Sequence, residues 1–285
     1  MKKTFSSKKS AFSLIELSIV LIIIGLLIAG VTGGASLIKS SELRAAISEA
    51  RGYAVAVNGF FSQYNALPGD YTVAIAGSSN AGSTNGGNSK IQYFASDISS
   101  FSSESVVAWN QLIATGTLDS TLSLTYTAVT TAQTVGTMMP ASKIKFAGWH
   151  FDYRNNVGAD VNYTSATGTA EGAAAAAANQ NVVVLTPATL AASSDATLVN
   201  GEVNIAYTTD GVGALTGPDA LSIDTKVDDG FANAGRVRGL NPGTYNSGSS
   251  TSDCYTISTN SNSSYIVSSG TNKVCNLTFQ VDVNS

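Results

Sequence analysis

Charge is scarce in this chain. Only 12% of its 285 residues are Asp, Glu, Lys or Arg, about half the share of an ordinary soluble domain. Histidine occurs once, at His150, and cysteine twice, at Cys254 and Cys275. No C-x-x-C, G-x-S-x-G, phosphate loop or pair of histidines is present. The usual constellations for zinc, thiol-redox, serine-nucleophile and nucleotide chemistry are therefore missing, and an enzyme is not expected. His150 lies in "AGWHFDY", where alternation puts it on one face of a strand in a structural or surface role. Basic residues are also few, 15 against 19 acidic, for a net charge of −4. Four of the 15 are Lys2, Lys3, Lys8 and Lys9, so a chain without residues 1–11 carries −8. So acidic a body disfavours nucleic acid as the main partner, since phosphate contacts need a basic face.

What the chain does have is a long apolar run. Residues 17–38, "LSIVLIIIGLLIAGVTGGASLI", contain no charge, and as a helix they extend about 33 Å, enough to cross a hydrocarbon core. The four lysines before the run predict a cytoplasmic N-terminus and an exported remainder. A cleaved secretory signal has a shorter apolar region and a prompt A-x-A-like site; neither occurs here. Glu16 sits at the start of the run, where a carboxylate is costly and needs a partner. A cut between Ala11 and Phe12 would supply one. Phe12 would then carry a new ammonium, with Glu16 one helical turn away as the fifth residue of the shortened chain. A carboxylate there also complements the positive end of the helix dipole. The Phe12 ammonium of a neighbouring subunit could serve equally well.

A short basic leader, a small residue and then "FSLIELSIVLIIIGLLIAG" resemble the type III signal of type IV pilins and of type II secretion pseudopilins. The resemblance implies that a prepilin peptidase cuts after Ala11, that the nitrogen of Phe12 is methylated, and that Glu16 directs assembly. It further implies an inner-membrane precursor with a single span and a periplasmic head. An inner-membrane assembly platform and other pilin or pseudopilin subunits would be its partners, in a periplasmic or extracellular filament. Where the family often has a proline, about twenty residues into the mature helix, this chain has Gly30, Gly33 and Gly34, which weaken a helix by about 1 kcal/mol each and make local bending plausible.

Beyond the apolar run, Leu43, Ile47, Ala50, Ala54, Val57, Phe61 and Tyr64 recur every three or four residues, an amphipathic continuation that needs a partner surface. Pro68 and Gly69 in "LPGD" are the expected stop, and "QYNALPGDY" resembles a segment common after the long helix of pilin-like proteins. The expected organisation is a leader over 1–11, a long helix over 12–67 and a head over 68–285. Within the head, residues 77–90 read as a flexible Gly/Ser/Asn loop and 105–116 as a short helix. Strands are expected in "LSLTYTAV" (122–129), "KIKFAGWHFDY" (143–153), "QNVVVLT" (180–186), "EVNIAYTT" (202–209), "YTISTN" (255–260) and "NLTFQVDV" (276–283). The fold class is α+β, a long helix laid on a mainly antiparallel sheet.

Two details complete the reading. Cys254 and Cys275 form an even pair behind an export signal, which favours a disulfide contributing about 3 kcal/mol on the loop-entropy model. In "GPDALSIDTKVDDGFANAGRVRG" (217–239) a helix runs from Pro218 towards Gly230; the phrase resembles an "ID-x-K-x-DDG" segment of some bacterial pilin-like proteins. Asp228 and Asp229 then lie at a helix C-terminus, where the dipole disfavours anions. Three answers stay open: calcium held by Asp224, Asp228 and Asp229, pairing with Lys226, Arg236 or Arg238, or plain solvation. The leading functional expectation is a structural filament subunit. The alternative is a minor or tip subunit whose head acts as an adhesin or substrate-binding module, since the 274 residues left after the cut are many for a repeating pilin.

Overall fold

The first helix, α1, runs unbroken from Leu14 to Tyr64. The computed structural model describes residues 13–76, 86–91, 104–119, 122, 124, 133–136, 139–154, 180–187, 189–190, 213–240, 254–256, 263–269 and 272–281. The chain divides into two units, Met1–Glu42 and Leu43–Ser285. The described part of the first is α1 alone, and the helix continues through Gly30, Gly33 and Gly34. It stops earlier than Pro68. Asn65 adopts a φ of +50° and its N–H donates to the Phe61 carbonyl at 2.8 Å, a left-handed end that asparagine tolerates.

In the second unit the last turns of α1 pack on a four-stranded antiparallel sheet. Its strands are β2 (Ala147–Arg154), β3 (Gln180–Pro187), β5 (Val237–Leu240) and β6 (Asn276–Gln280), in the order β2-β3-β6-β5. A separate two-stranded piece pairs β1 (Gln133–Thr134) with β4 (Thr189–Leu190). Register aligns Trp149, Leu185, Leu277 and Gly239 in one row and Phe151, Val183, Phe279 and Val237 in the next. Because side chains alternate across a sheet, both rows face the same way, and their apolar residues share a core with α1. The opposite face is buried as well and is more polar, with His150, Val184, Thr278 and Arg238 in one row.

α2 (Glu104–Ala114) brings Trp109 into the same core. Tyr53 of α1 meets Trp109 at 4.9 Å and Trp149 at 5.6 Å between ring centroids, and Trp109 meets Phe151 at 4.1 Å. The buried face of α1 is therefore wider than the stripe read from the sequence. It adds Ala46, Tyr53 and Phe60, while Ala54, Phe61 and Tyr64 are only partly buried. A sheet and a second helix together cover a broader sector than a single partner helix would.

The "LPGD" turn locks α1 to α2. Gly69 has a φ of +86°, and a Cβ on it would lie 2.4 Å from the Glu104 carbonyl oxygen, so glycine is required on both conformational and steric grounds. Its N–H donates to Gln111 Oε1 at 2.8 Å, and Gln111 Nε2 donates to the Tyr71 carbonyl. Asp70 accepts from the backbone amides of Gly87, Asn88 and Ser89. Ile91 N–H donates to Asn181 Oδ1 on β3. The far end of the expected flexible loop, residues 86–90, is thus held by side chains that cap its backbone; residues 77–85 lie outside the described residues.

The strand expectations held for β3 and for the core of β6. β2 begins only at Ala147, because residues 143–146 form a turn. Tyr255 makes an isolated bridge with Tyr265. "EVNIAYTT" and most of "LSLTYTAV" and "YTISTN" lie outside the described residues. β5 was not expected: "VRGL" is too short to show alternation, and it closes the sheet by pairing with β6. Cys254 and Cys275 are joined, with Cα atoms 4.7 Å apart, tying the Tyr255 segment to the residue just before β6.

Candidate functional site

The N-terminal end of α1 is the first candidate. Ser13 precedes the helix, and its N–H donates to Glu16 Oε2 at 2.9 Å. That is half of a capping box, with the acid three residues after the cap. Ala11 and Phe12 lie outside the described residues. After them every large apolar residue from Leu14 to Ile38 is 46–87% exposed, an apolar surface on all sides that needs a cover of lipid or protein. Two of the polar side chains on it, Ser18 and Thr32, are turned back onto the helix. Ser18 Oγ donates to the Ile15 carbonyl, and Thr32 Oγ1 is within bonding distance of the Ile28 and Ala29 carbonyls. Self-satisfied hydroxyls suit a medium that offers no partners. Glu16 is thus the one ionisable side chain between Ser13 and Ile38.

The second candidate is the acidic end of α3 (Gly217–Val227). Thr216 caps the helix start, exchanging hydrogen bonds with Asp219, and Pro218 stands in the first turn. At the other end Asp224, Asp228 and Asp229 bring carboxylate oxygens within 4.8 Å of one another. Backbone amides of the following loop meet that charge: Gly230 N–H donates to Asp224, Phe231 N–H to Asp229, and the Arg236 and Val237 amides to Asp228 Oδ2. Tyr265 donates its hydroxyl to Asp224 Oδ2 at 2.7 Å. Four of the six carboxylate oxygens therefore already accept protein hydrogen bonds. The cationic side chains are directed elsewhere, Lys226 Nζ to Ser222 Oγ and Arg238 Nε to the Gly235 carbonyl. Arg236 contributes its backbone amide, a donor that residue-type reasoning does not count.

His150 sits in the middle of β2 opposite Val184 and is fully buried. Burial lowers its pKa to about 3, so the imidazole is neutral at physiological pH. Sequence reasoning missed Glu49, which lies off the apolar stripe of α1. This carboxylate accepts from Ser142 Oγ, the Lys143 amide and Trp149 Nε1, clamping the turn before β2 to α1. A single buried-edge acid among exposed charges on a helix leaves no periodic signal.

Asp224 has its pKa raised to about 6, first by burial and also by the neighbouring Asp229 and Asp228, against the opposing hydrogen bonds from Tyr265 and Gly230. The folded state therefore holds this proton more tightly than the unfolded chain. Its contribution to stability is greatest below the unfolded value near pH 3.8 and falls as the pH rises to about 6, by at most about 1.4 kcal/mol per unit. Urea unfolding of the wild type and of Asp224→Asn between pH 4 and 7 should show this slope in the wild type and lose it in the variant. A wild type that instead gains stability relative to the variant with rising pH would contradict the assignment.

No curated protein and no solved structure matches this chain. Residues 6–32 match the family model described as the prokaryotic N-terminal methylation motif, and they take in Lys8 and Lys9 of the basic leader, the Ala11–Phe12 junction, Glu16 and most of the exposed apolar surface. On that match the chain carries the prepilin signal of type IV pilins and pseudopilins.

Proposed function

We propose that this protein is a structural subunit of a type IV pilus-like filament. The precursor is held in the inner membrane by the apolar half of α1, with its N-terminus cytoplasmic. A prepilin peptidase cuts between Ala11 and Phe12 and the nitrogen of Phe12 is methylated. The mature chain then joins other pilin or pseudopilin subunits through the assembly platform. The observation that carries this reading is the uncovered apolar surface from Leu14 to Ile38 with a single carboxylate, Glu16, at its start. Apolar side chains gain little by moving from lipid to a protein core, so packing must drive assembly. A charge pair between Glu16 and the amino group of Phe12, in the same or a neighbouring subunit, would set axial register, because any slip strands a buried charge.

Two variants separate pairing from capping. Glu16→Ala removes both the charge and the acceptor for the Ser13 amide, whereas Glu16→Gln keeps an acceptor suited to the capping box. Both are expected to be cleaved normally and to be absent from purified filaments. Normal incorporation of Glu16→Gln would remove the charge-pair role. Counting the wild-type chain in the same filaments separates a body subunit from the second reading, a minor or tip subunit with an adhesive head, which the 274-residue mature length favours.

Calcium at Asp224, Asp228 and Asp229 is a secondary proposal. The convergence of their oxygens supports it, while the four that already accept hydrogen bonds oppose it, since calcium takes six to eight oxygen ligands. A rise in thermal midpoint on adding calcium, reversed by a chelator and lost in Asp228→Asn, would support binding. An unchanged midpoint would remove the proposal.

A further inference from the structure

The turn before β2 has features that its role in the core does not require. Phe146 has a φ of +63° and is 70% exposed. A bulky side chain in the left-handed region is an outlier, and such strain persists where surrounding structure enforces it, often at functional positions. Here the surroundings do enforce it. Glu49 accepts from Ser142 and from the Lys143 amide, Ser142 N–H donates to the Ala147 carbonyl, and Ile144 is buried beneath. Lys273 Nζ donates to the Lys145 carbonyl at 3.0 Å, closing the turn from the β6 side. The Lys145 ammonium lies 5.0 Å from the Phe146 ring centroid. Lys143 and Lys145 are both exposed.

Three of the eleven lysines and arginines left after residue 11 thus converge on one rigid turn, around an exposed ring. Glu49 reaches this turn from the α1 side and is itself engaged by Trp149 Nε1 and Ser142 Oγ. The rest of the shortened chain is acidic: of its net charge of −8, the residues outside these three lysines carry −11.

We infer that the Lys143–Phe146 turn, with Lys273, is a docking knob for an acidic face of a second copy of this chain. The occupant follows from charge complementarity, since a body so depleted of cations elsewhere offers this turn an anionic surface on its own kind. The exposed ring supplies the apolar centre that lysines alone lack. A knob meeting a different surface of its neighbour is a head-to-tail contact, the type that propagates along an open helix. The inference rests on the filament reading above, and it adds a contact between heads to assembly through α1.

The test is site-specific photocrosslinking of the full mature chain, purified in detergent, with Phe146→p-benzoylphenylalanine. The expected product is a dimer whose crosslinked peptide from the second copy contains Asp or Glu. The yield should fall about tenfold in the combined variant Lys143→Glu, Lys145→Glu, Lys273→Glu, as the loss of charge pairs at the exposed Lys143 and Lys145 and the half-buried Lys273 predicts. If that variant does not fold, the same loss is expected for the unaltered lysines in about 1 M salt, where charges are screened within about 3 Å. Adducts to detergent, lipid or nucleic acid alone, purely monomeric product, or a dimer yield indifferent to both charge reversal and salt would each overturn the inference. Because no filament is needed, a failure here is distinct from a failure of Glu16 to direct assembly.

Discussion

Tyr53 touches Trp109 on α2 and Trp149 on β2, so one turn of α1 holds the second helix and the sheet in place at once. Aromatic pairs in such edge-on contacts add about 0.5–1.5 kcal/mol each beyond their buried area. The polar contacts around this centre serve the same end. Glu49, one turn earlier on the helix, accepts from the Trp149 indole and fixes the turn leading into β2. Gly69 and Gln111 bring the chain leaving α1 against the start and middle of α2. The later turns of α1 are therefore one wall of the core of the second unit.

The same helix faces opposite requirements along its length. From Leu43 onward most of its apolar residues are covered by protein, with Val55 left exposed, whereas from Leu14 to Ile38 they are uncovered. Sequence composition explains the difference. Charges return at Lys39, Glu42 and Arg44, which confines burial to one face, while the earlier run is apolar all round and has no solvent face to offer. In such a run the position of the single acid carries information, since a carboxylate in an apolar medium must find a cation or a donor. In the chain as described it caps the helix start through Ser13. The proposed cut would create an amino group next to that residue.

Much of this was legible in the residues. The long run of α1, the antiparallel α+β class, the paired cysteines and the strand position of His150 all follow from patterns with a definite period or spacing. What the sequence did not show was set by long-range geometry. Tyr53 and Phe60 became the centre of the buried face because two elements cover α1 there. The α3 acids are met by amides of Gly230, Phe231, Arg236 and Val237, and a backbone donor has no residue-type signature. β5 is four residues long and is defined by its partner β6. Phe146 lies in a segment that reads as strand, and its positive φ takes it out of that conformation.

The central claim is that Phe12 becomes the N-terminus and brings an amino group to Glu16. Mass spectrometry of the N-terminal peptide, from membrane and filament fractions, tests it directly. The account predicts an intact Met1 terminus only in the unprocessed precursor, and in the filament a peptide beginning at Phe12 with one methyl group on its nitrogen. A filament form that retains Met1, or that begins downstream of residue 30, would contradict it.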